Sequence, residues 1–204
     1  MSSEKQYIDL YEASRQMIFD HAAPLMNAIR DKAFDDFCAQ KFPSKKVERY
    51  KYTDIEKLFA PDYGLNLKRL DIPVNPYDAF KCDVPNLSTS LYFVVNDQFY
   101  KKELPKASLP EGVIVSSLKD AAEQNEQLLA RYYAQLAHTD KDAITALNTM
   151  LAQDGLFVYV PKGVKVDRAI QVVNILRSDV DLMVNRRVLI IMEEGSEAKF
   201  LFCD

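Results

Sequence analysis

The sequence predicts an α+β protein: an N-terminal helical domain with a small β hairpin, followed by a succession of short strands. Three observations predict it. Apolar residues recur at helical spacing from about Glu4 to Gln40 and again between Ser117 and Ala152. Asn96-Asp97 stands between the apolar runs 91–95 and 98–101, and both residues tolerate the positive φ of a tight hairpin turn. Beyond Asp154 the apolar pattern takes the period of strands, punctuated by turn residues.

The chain of 204 residues is 48% apolar, enough to bury a core without disulfides or metals. Its formal charge of -4 and pI near 5.3 argue against a general polyanion binder, which needs an excess of Lys and Arg on one face. The start, Met1-Ser2-Ser3-Glu4-Lys5, has neither the basic nor the apolar stretch of an export signal. The longest apolar runs, such as 156–160 and 188–192, are strand-sized and too short to cross a bilayer. The expectation is a soluble, cytoplasmic protein. Cys38, Cys82 and Cys203 are odd in number and far apart, which speaks for reduced thiols and against a disulfide framework or a zinc site.

Residues 4–40 read as a hairpin of two helices. The first carries Tyr7, Ile8, Tyr11 and Met17. The second starts near Pro24, where the missing N–H is harmless, and carries Leu25, Ile29, Ala33, Phe34 and Phe37. Thr53-Asp54-Ile55-Glu56 has the form of a capping box and predicts a short helix through Phe59. Prolines 61, 73, 76 and 85 predict an irregular extended crossing over 61–87, packed through Leu65, Leu67, Leu70, Ile72 and Phe80. Val113 to Val115 adds a short strand. Ser117 with Asp120 opens a helical stretch whose apolar stripe runs on through Leu128, Leu129, Tyr132 and Leu136. Ala143 to Ala152 is a further helix, ended by Asp154-Gly155.

The strands expected after it are 156–160, 169–176, 188–192 and 198–203. Pro161 and Gly163 suit the second and fourth positions of a type I turn. A sandwich of hairpins and a coiled parallel β-helix both produce such a pattern, and periodicity does not choose between them. The last strand is still alternating at Asp204, which leads us to expect a truncated chain, since an apolar edge strand is normally covered.

Three stretches carry a family resemblance. Phe42-Pro43 through Glu48-Arg49-Tyr50-Lys51-Tyr52-Thr53 resembles a signature near the amino terminus of SufD, with Tyr50 where that family more often has tryptophan. Ala146-Leu147-Asn148 and Asp154 through Val164 resemble the entrance to the β-helix shared by SufB and SufD. Arg187 through Ser196 resembles the following β-helix turn. The three stand in family order over most of the chain.

The resemblance implies the first coils of a right-handed parallel β-helix and the organisation 1–60 (helical), 61–153 (mixed extended, hairpin and helical) and 154–204 (start of the β-helix). It implies a non-catalytic scaffold subunit of the SUF iron-sulfur cluster assembly complex. Its partners would be a SufB-like subunit and the SufC ATPase, engaged through a carboxyl-terminal half that is absent from this sequence. No cofactor is expected on this stretch, the cluster being assembled by the wider complex. Neither nucleic acid nor membrane is an expected partner, and an open β-helix end suggests self-association. A β-helix carbohydrate lyase or acyltransferase is the alternative of another class.

No catalytic, cofactor-binding or metal-binding residue is assigned. Cluster ligation needs converging Cys or His, and none are closely spaced; Cys38, beside Phe37, reads as a small core residue. His21 and His138 have no Ser, Cys or second His at motif spacing and read as capping or surface groups. Lys41, Lys45, Lys46, Arg49 and Lys51 with Phe42, Tyr50 and Tyr52 have a basic-aromatic texture, offset by Glu48, Asp54 and Glu56, and read as a solvated face. Glu193 and Glu194, neighbours beside Gly195, read as turn residues that keep an edge soluble. Gly155, Gly163 and Gly195 are too scattered for a phosphate loop.

Overall fold

A computed structural model describes residues 3–70, 73, 75–80, 88–105 and 109–204. The chain forms α1 (Ser3–Asp20), α2 (Pro24–Asn27), α3 (Arg30–Gln40), α4 (Ile55–Phe59), α5 (Pro76–Ala79), β1 (Thr89–Val95), β2 (Gln98–Phe99) and β3 (Ile114–Ser117). It continues with α6 (Leu118–Gln124), α7 (Glu126–Leu129), α8 (Ala143–Leu151), β4 (Asp154–Val160), β5 (Ala169–Ile175), β6 (Arg186–Met192) and β7 (Phe200–Cys203). Two compact units are interleaved along the chain: Met1–Leu70 with Ala122–Gln153 and Ser178–Asn185, and Asp71–Ala121 with Asp154–Arg177 and Arg186–Asp204.

The first unit packs α1, α3 and α8 together. Tyr7, Tyr11 and Ile18 of α1, Phe37 of α3 and Leu147 and Met150 of α8 share one buried cluster. Full burial of a side chain such as Leu147 contributes about 1.5–3 kcal/mol relative to exposure. Phe42 and Phe59 stack with centroids 4.9 Å apart, and Tyr7 meets both rings edge-on, so the chain on either side of the segment 43–58 is anchored in this core. Gly64 pairs with Leu182 in a parallel bridge, tying the crossing after α4 to the strap 178–185.

Several local expectations shift. The second helix of the hairpin is interrupted at Ala28-Ile29, and Met26 and Arg30 are buried where Leu25 and Ile29 are half-exposed. The cap of α4 is Asp54, whose carboxylate accepts from Lys57 N at 3.2 Å, in place of Thr53; a charged acceptor is the stronger partner at a helix N-terminus. The stripe after α6 ends at Leu129 and Tyr133. Tyr132 and Leu136 are exposed, Leu136 at 94%, because the helix gives way to turns there. In the crossing 61–87, Leu67 is buried, Leu70 is exposed, and Pro76 starts the helix α5, capped by Asn75; Ile72, Cys82, Pro85 and Leu87 lie outside the described residues.

The second unit contains two sheets, ordered β2-β1-β5-β7 and β3-β4-β6. The hairpin β1/β2 turns through Asn96 at φ 55, as expected. Ser117 Oγ accepts from Asp120 N at 3.1 Å and caps α6. From β4 onward the chain alternates between the sheets: β4 and β6 pair in parallel, and so do β1, β5 and β7. Asp154 stands opposite Arg186, an offset of 32 residues, the same as separates the ion pair Lys162 and Glu194. In the other sheet Val173 stands opposite Cys203, an offset of 30 that also separates the bonded pair Asn174 and Asp204. The corners stack too. Gly163 N donates to Glu194 O at 3.0 Å, and Lys165 and Glu197 form a parallel bridge.

Two glycines are required here. Gly155, expected to end α8, lies inside β4 at φ 153, and a Cβ there would fall 1.9 Å from Arg187 O on the paired strand. Gly163 has φ 72 in the turn closed by Val164 N and Pro161 O at 3.1 Å, so Pro161 is the first turn residue and Gly163 the third. The third position of a type II turn needs positive φ, which is why the expected type I placement fails.

Gly155→Ala is therefore expected to lower stability by on the order of 3 kcal/mol, because β4 and β6 must part. Gly163→Ala, whose Cβ would meet nothing within 4 Å, should lose only about 1–2 kcal/mol from its backbone conformation. Urea denaturation of the two variants checks this, and equal losses would contradict it.

Candidate functional site

The signature stretch 42–53 wraps from α3 to α4 and is fastened near its middle to the start of α8. Tyr50 Oη donates to Asp142 Oδ2, and Arg49 Nη1 reaches the same oxygen at 3.1 Å. Asp142 Oδ1 accepts from Thr145 N at 2.9 Å and so caps α8. Burial alone would push the Asp142 carboxyl up. The bonds from Tyr50 and Thr145 and the Arg49 charge outweigh it and hold the group below the usual carboxylate range. The Tyr50 phenol is pushed up to about 12 by burial and by the carboxylate it faces.

The opposite end of α8 meets a buried cation. Arg30 is 0% exposed; Nη1 donates to Met150 O at 2.8 Å and Thr149 O at 3.3 Å, and Nε donates to Asn27 Oδ1 at 3.1 Å. Sequence reasoning missed this residue. A lone Arg at a helix start reads as surface, and the only hint was its place between the apolar residues Ile29 and Ala33.

Among the described residues, the thiols and imidazoles are not brought together. Cys38 is exposed, which corrects its reading as a core residue: it lies on the outer side of α3 next to the buried Phe37. Desolvation, with Asp35 and Glu12 nearby, raises its pKa. Cys203 is half-buried and accepts from Gln171 Nε2 at 3.5 Å, while Gln171 Oε1 accepts from Thr89 Oγ1 at 2.7 Å. Cys82 lies outside the described residues. His21 follows α1 in a turn, and His138 is exposed at the head of a 3-10 turn. No group of three or more His, Cys, Asp or Glu among the described residues has the geometry to hold a metal ion. Glu193 Oε2 accepts from Lys162 N at 3.1 Å and Glu194 pairs with Lys162 Nζ at 2.6 Å, so both glutamates brace stacked corners. No helix among the described residues is long and apolar enough to cross a membrane.

The larger surface feature is the outer edge of the strand stack. β6 and β7 stand last in their sheets and expose Val188, Met192, Leu201 and Phe202.

Residues 1–172 match the family model described as the SufBD protein N-terminal region. The chain belongs to the SufB/SufD family. Among curated proteins it is similar to an iron-sulfur cluster assembly SufBD family protein of Staphylococcus aureus strain MRSA252, 30% identical over 91 residues. A protein of the same description from Staphylococcus haemolyticus strain JCSC1435 is 31% identical over 91 residues. In both, the match covers 45% of this chain and 19% of the relative.

Two outcomes follow. The folded Asp142 carboxyl titrates below its unfolded value, so the folded state binds fewer protons. Its contribution is complete above the ordinary Asp value of about 3.9 and is lost as pH falls through the lower folded value. Asp142→Asn should be less stable than the parent by about 1 kcal/mol at pH 7, with the gap closing below pH ~4. Denaturant titrations at both pH values measure this, and a gap independent of pH would refute it. Cys38, exposed but with a raised pKa, should alkylate with iodoacetamide more slowly than free cysteine at pH 7.5; peptide mass mapping reads the rate.

Proposed function

We propose that this chain is the amino-terminal part of a SufD-type, non-catalytic scaffold subunit that works in iron-sulfur cluster assembly. The observation that carries the reading is the family match over residues 1–172, together with curated relatives whose names state that assembly role. The cluster is the cargo of the complex and not a resident cofactor of this stretch. A SufB-like subunit and a SufC-type ATPase are the proposed partners, and the cytoplasm is the proposed compartment. The preference for SufD over SufB rests on the stretch Glu48-Arg49-Tyr50-Lys51-Tyr52-Thr53.

The same reading takes the strand stack as the opening coils of a right-handed parallel β-helix. Support comes from the alternation of the chain between two sheets, the parallel pairing and the offsets of 32 and 30 residues. In such a coil each strand lies on its counterpart from the previous turn, so the register repeats with the coil length. A scaffold of this kind offers long, rigid edges to partner subunits.

Co-expression of the complete protein with a SufB-like subunit and an ABC-type ATPase from the same genome tests the proposal. Affinity purification through a tag on this protein should retain both in defined stoichiometry. Recovery of the folded protein with neither partner would overturn it.

A further inference from the structure

We propose that the exposed basic-aromatic stretch from Lys41 to Leu58 is a docking surface for an acidic, aliphatic-bearing segment of a partner protein. This inference stands apart from the assembly role proposed above. Residues 41–57 hold six Lys and Arg against three Asp and Glu, in a chain whose formal charge is -4. The positive excess is therefore local, and it faces solvent: Lys41, Lys45, Lys46, Arg49, Lys51 and Lys57 are all exposed.

The same stretch presents apolar surface. Tyr52 is 90% exposed, and Val47 and Leu58 are exposed within a few residues of it. Leu58 belongs to α4, whose Ile55 is buried, so the helix turns one apolar side chain inward and another out. Lys51 Nζ sits 5.0 Å from the centre of the Tyr52 ring. Tyrosine and arginine, here Tyr52 and Arg49, are among the residues enriched at the energetic centres of protein interfaces.

The backbone carrying these groups is fixed before any partner arrives. Phe42 and Phe59 stack in the core at its two ends, Phe42 N donates to Glu4 Oε1 at 3.0 Å, and Tyr50 and Arg49 are fastened to Asp142. A surface ordered in advance loses less conformational entropy on binding. The ion pairs within the stretch, Lys45 with Asp54 and Lys51 with Glu48, are solvent-exposed and contribute about 0–1 kcal/mol each, so a partner's carboxylates can replace them. Carboxylates interspersed among the cations, and a single fully exposed aromatic, favour a peptide over a nucleic-acid strand, which needs an uninterrupted basic track with several stacking rings.

The test uses the 204-residue chain and a fluorescein-labelled peptide in which Glu alternates with Leu, followed by anisotropy at low and high salt. Saturable binding is expected, weakened at least tenfold by K46E/K57E and by Tyr52→Ala, and weakened by 0.5 M NaCl. These side chains are exposed, so melting temperatures should match the parent and separate loss of binding from loss of fold. No saturable binding, or binding unchanged in K46E/K57E, overturns the proposal. So does a single-stranded oligonucleotide that binds more tightly than the peptide and is lost with the same variants, because it reassigns the surface.

Discussion

Helix α8 is held at its two ends by charges of opposite sign, one from its own capping residue Asp142 and one from Arg30, about 120 residues away. Asp142 sits at its amino end, where the helix is electrically positive, and the guanidinium of Arg30 meets carbonyls of its last turn, where it is negative. Nine residues would make a marginal helix in isolation. Charge at both ends and burial of Ala146, Leu147 and Met150 make it the member around which α1 and α3 assemble. Arg30 is the less replaceable of the two. Shortening it would strip partners from buried carbonyls of Thr149 and Met150, and an unmet buried acceptor costs about 1–3 kcal/mol.

Asp142 carries a second duty, since the signature stretch reaches it through Tyr50 and Arg49. One carboxylate therefore sets both the start of α8 and the path of the chain between α3 and α4. The aromatic at position 50 is held by its hydroxyl as well as by packing. A tyrosine supplies both in one side chain, an apolar ring for packing and one polar hydrogen at its rim for the carboxylate.

Much of this architecture was legible in the sequence, and the failures share a cause. Helices with strong apolar periodicity, the Asn96-Asp97 hairpin, the Ser117 cap and the succession of strands after Asp154 all appear where local pattern places them. Local pattern misplaced what distant contacts decide. Asp154-Gly155 reads as a helix stop, yet the Asp154 carboxylate accepts from Ser117 Oγ at 2.7 Å and Phe99 N at 3.3 Å, and Gly155 lies against Arg187 on the neighbouring strand. Arg30 reads as a surface cation because its carbonyl partners are about 120 residues away. The signature stretch was visible as a pattern, but its fastening point lies 92 residues from Tyr50, beyond any motif spacing. Its exposed side chains carry no periodicity that distinguishes a docking surface from a merely solvated one.

The strand stack shows the same limit from the other side. β4 and β6 both end in unbroken apolar runs, 156–160 and 188–192, and pattern gives no ground for ranking one as more interior. In the fold, β4 lies between β3 and β6 and is buried along nearly its whole length, whereas β6 has a neighbour on one side and is mostly half-buried. β5 and β7 repeat the contrast in the second sheet. Burial here is a property of position in the strand order, and composition is a property of the strand alone. The outer strands carry the apolar code of inner ones, with Val188 opposite Leu156 and Met192 opposite Val160. An edge so composed, flanked by stacked corners already braced by Lys162 with Glu194 and Lys165 with Glu197, is chemically suited to receive another strand.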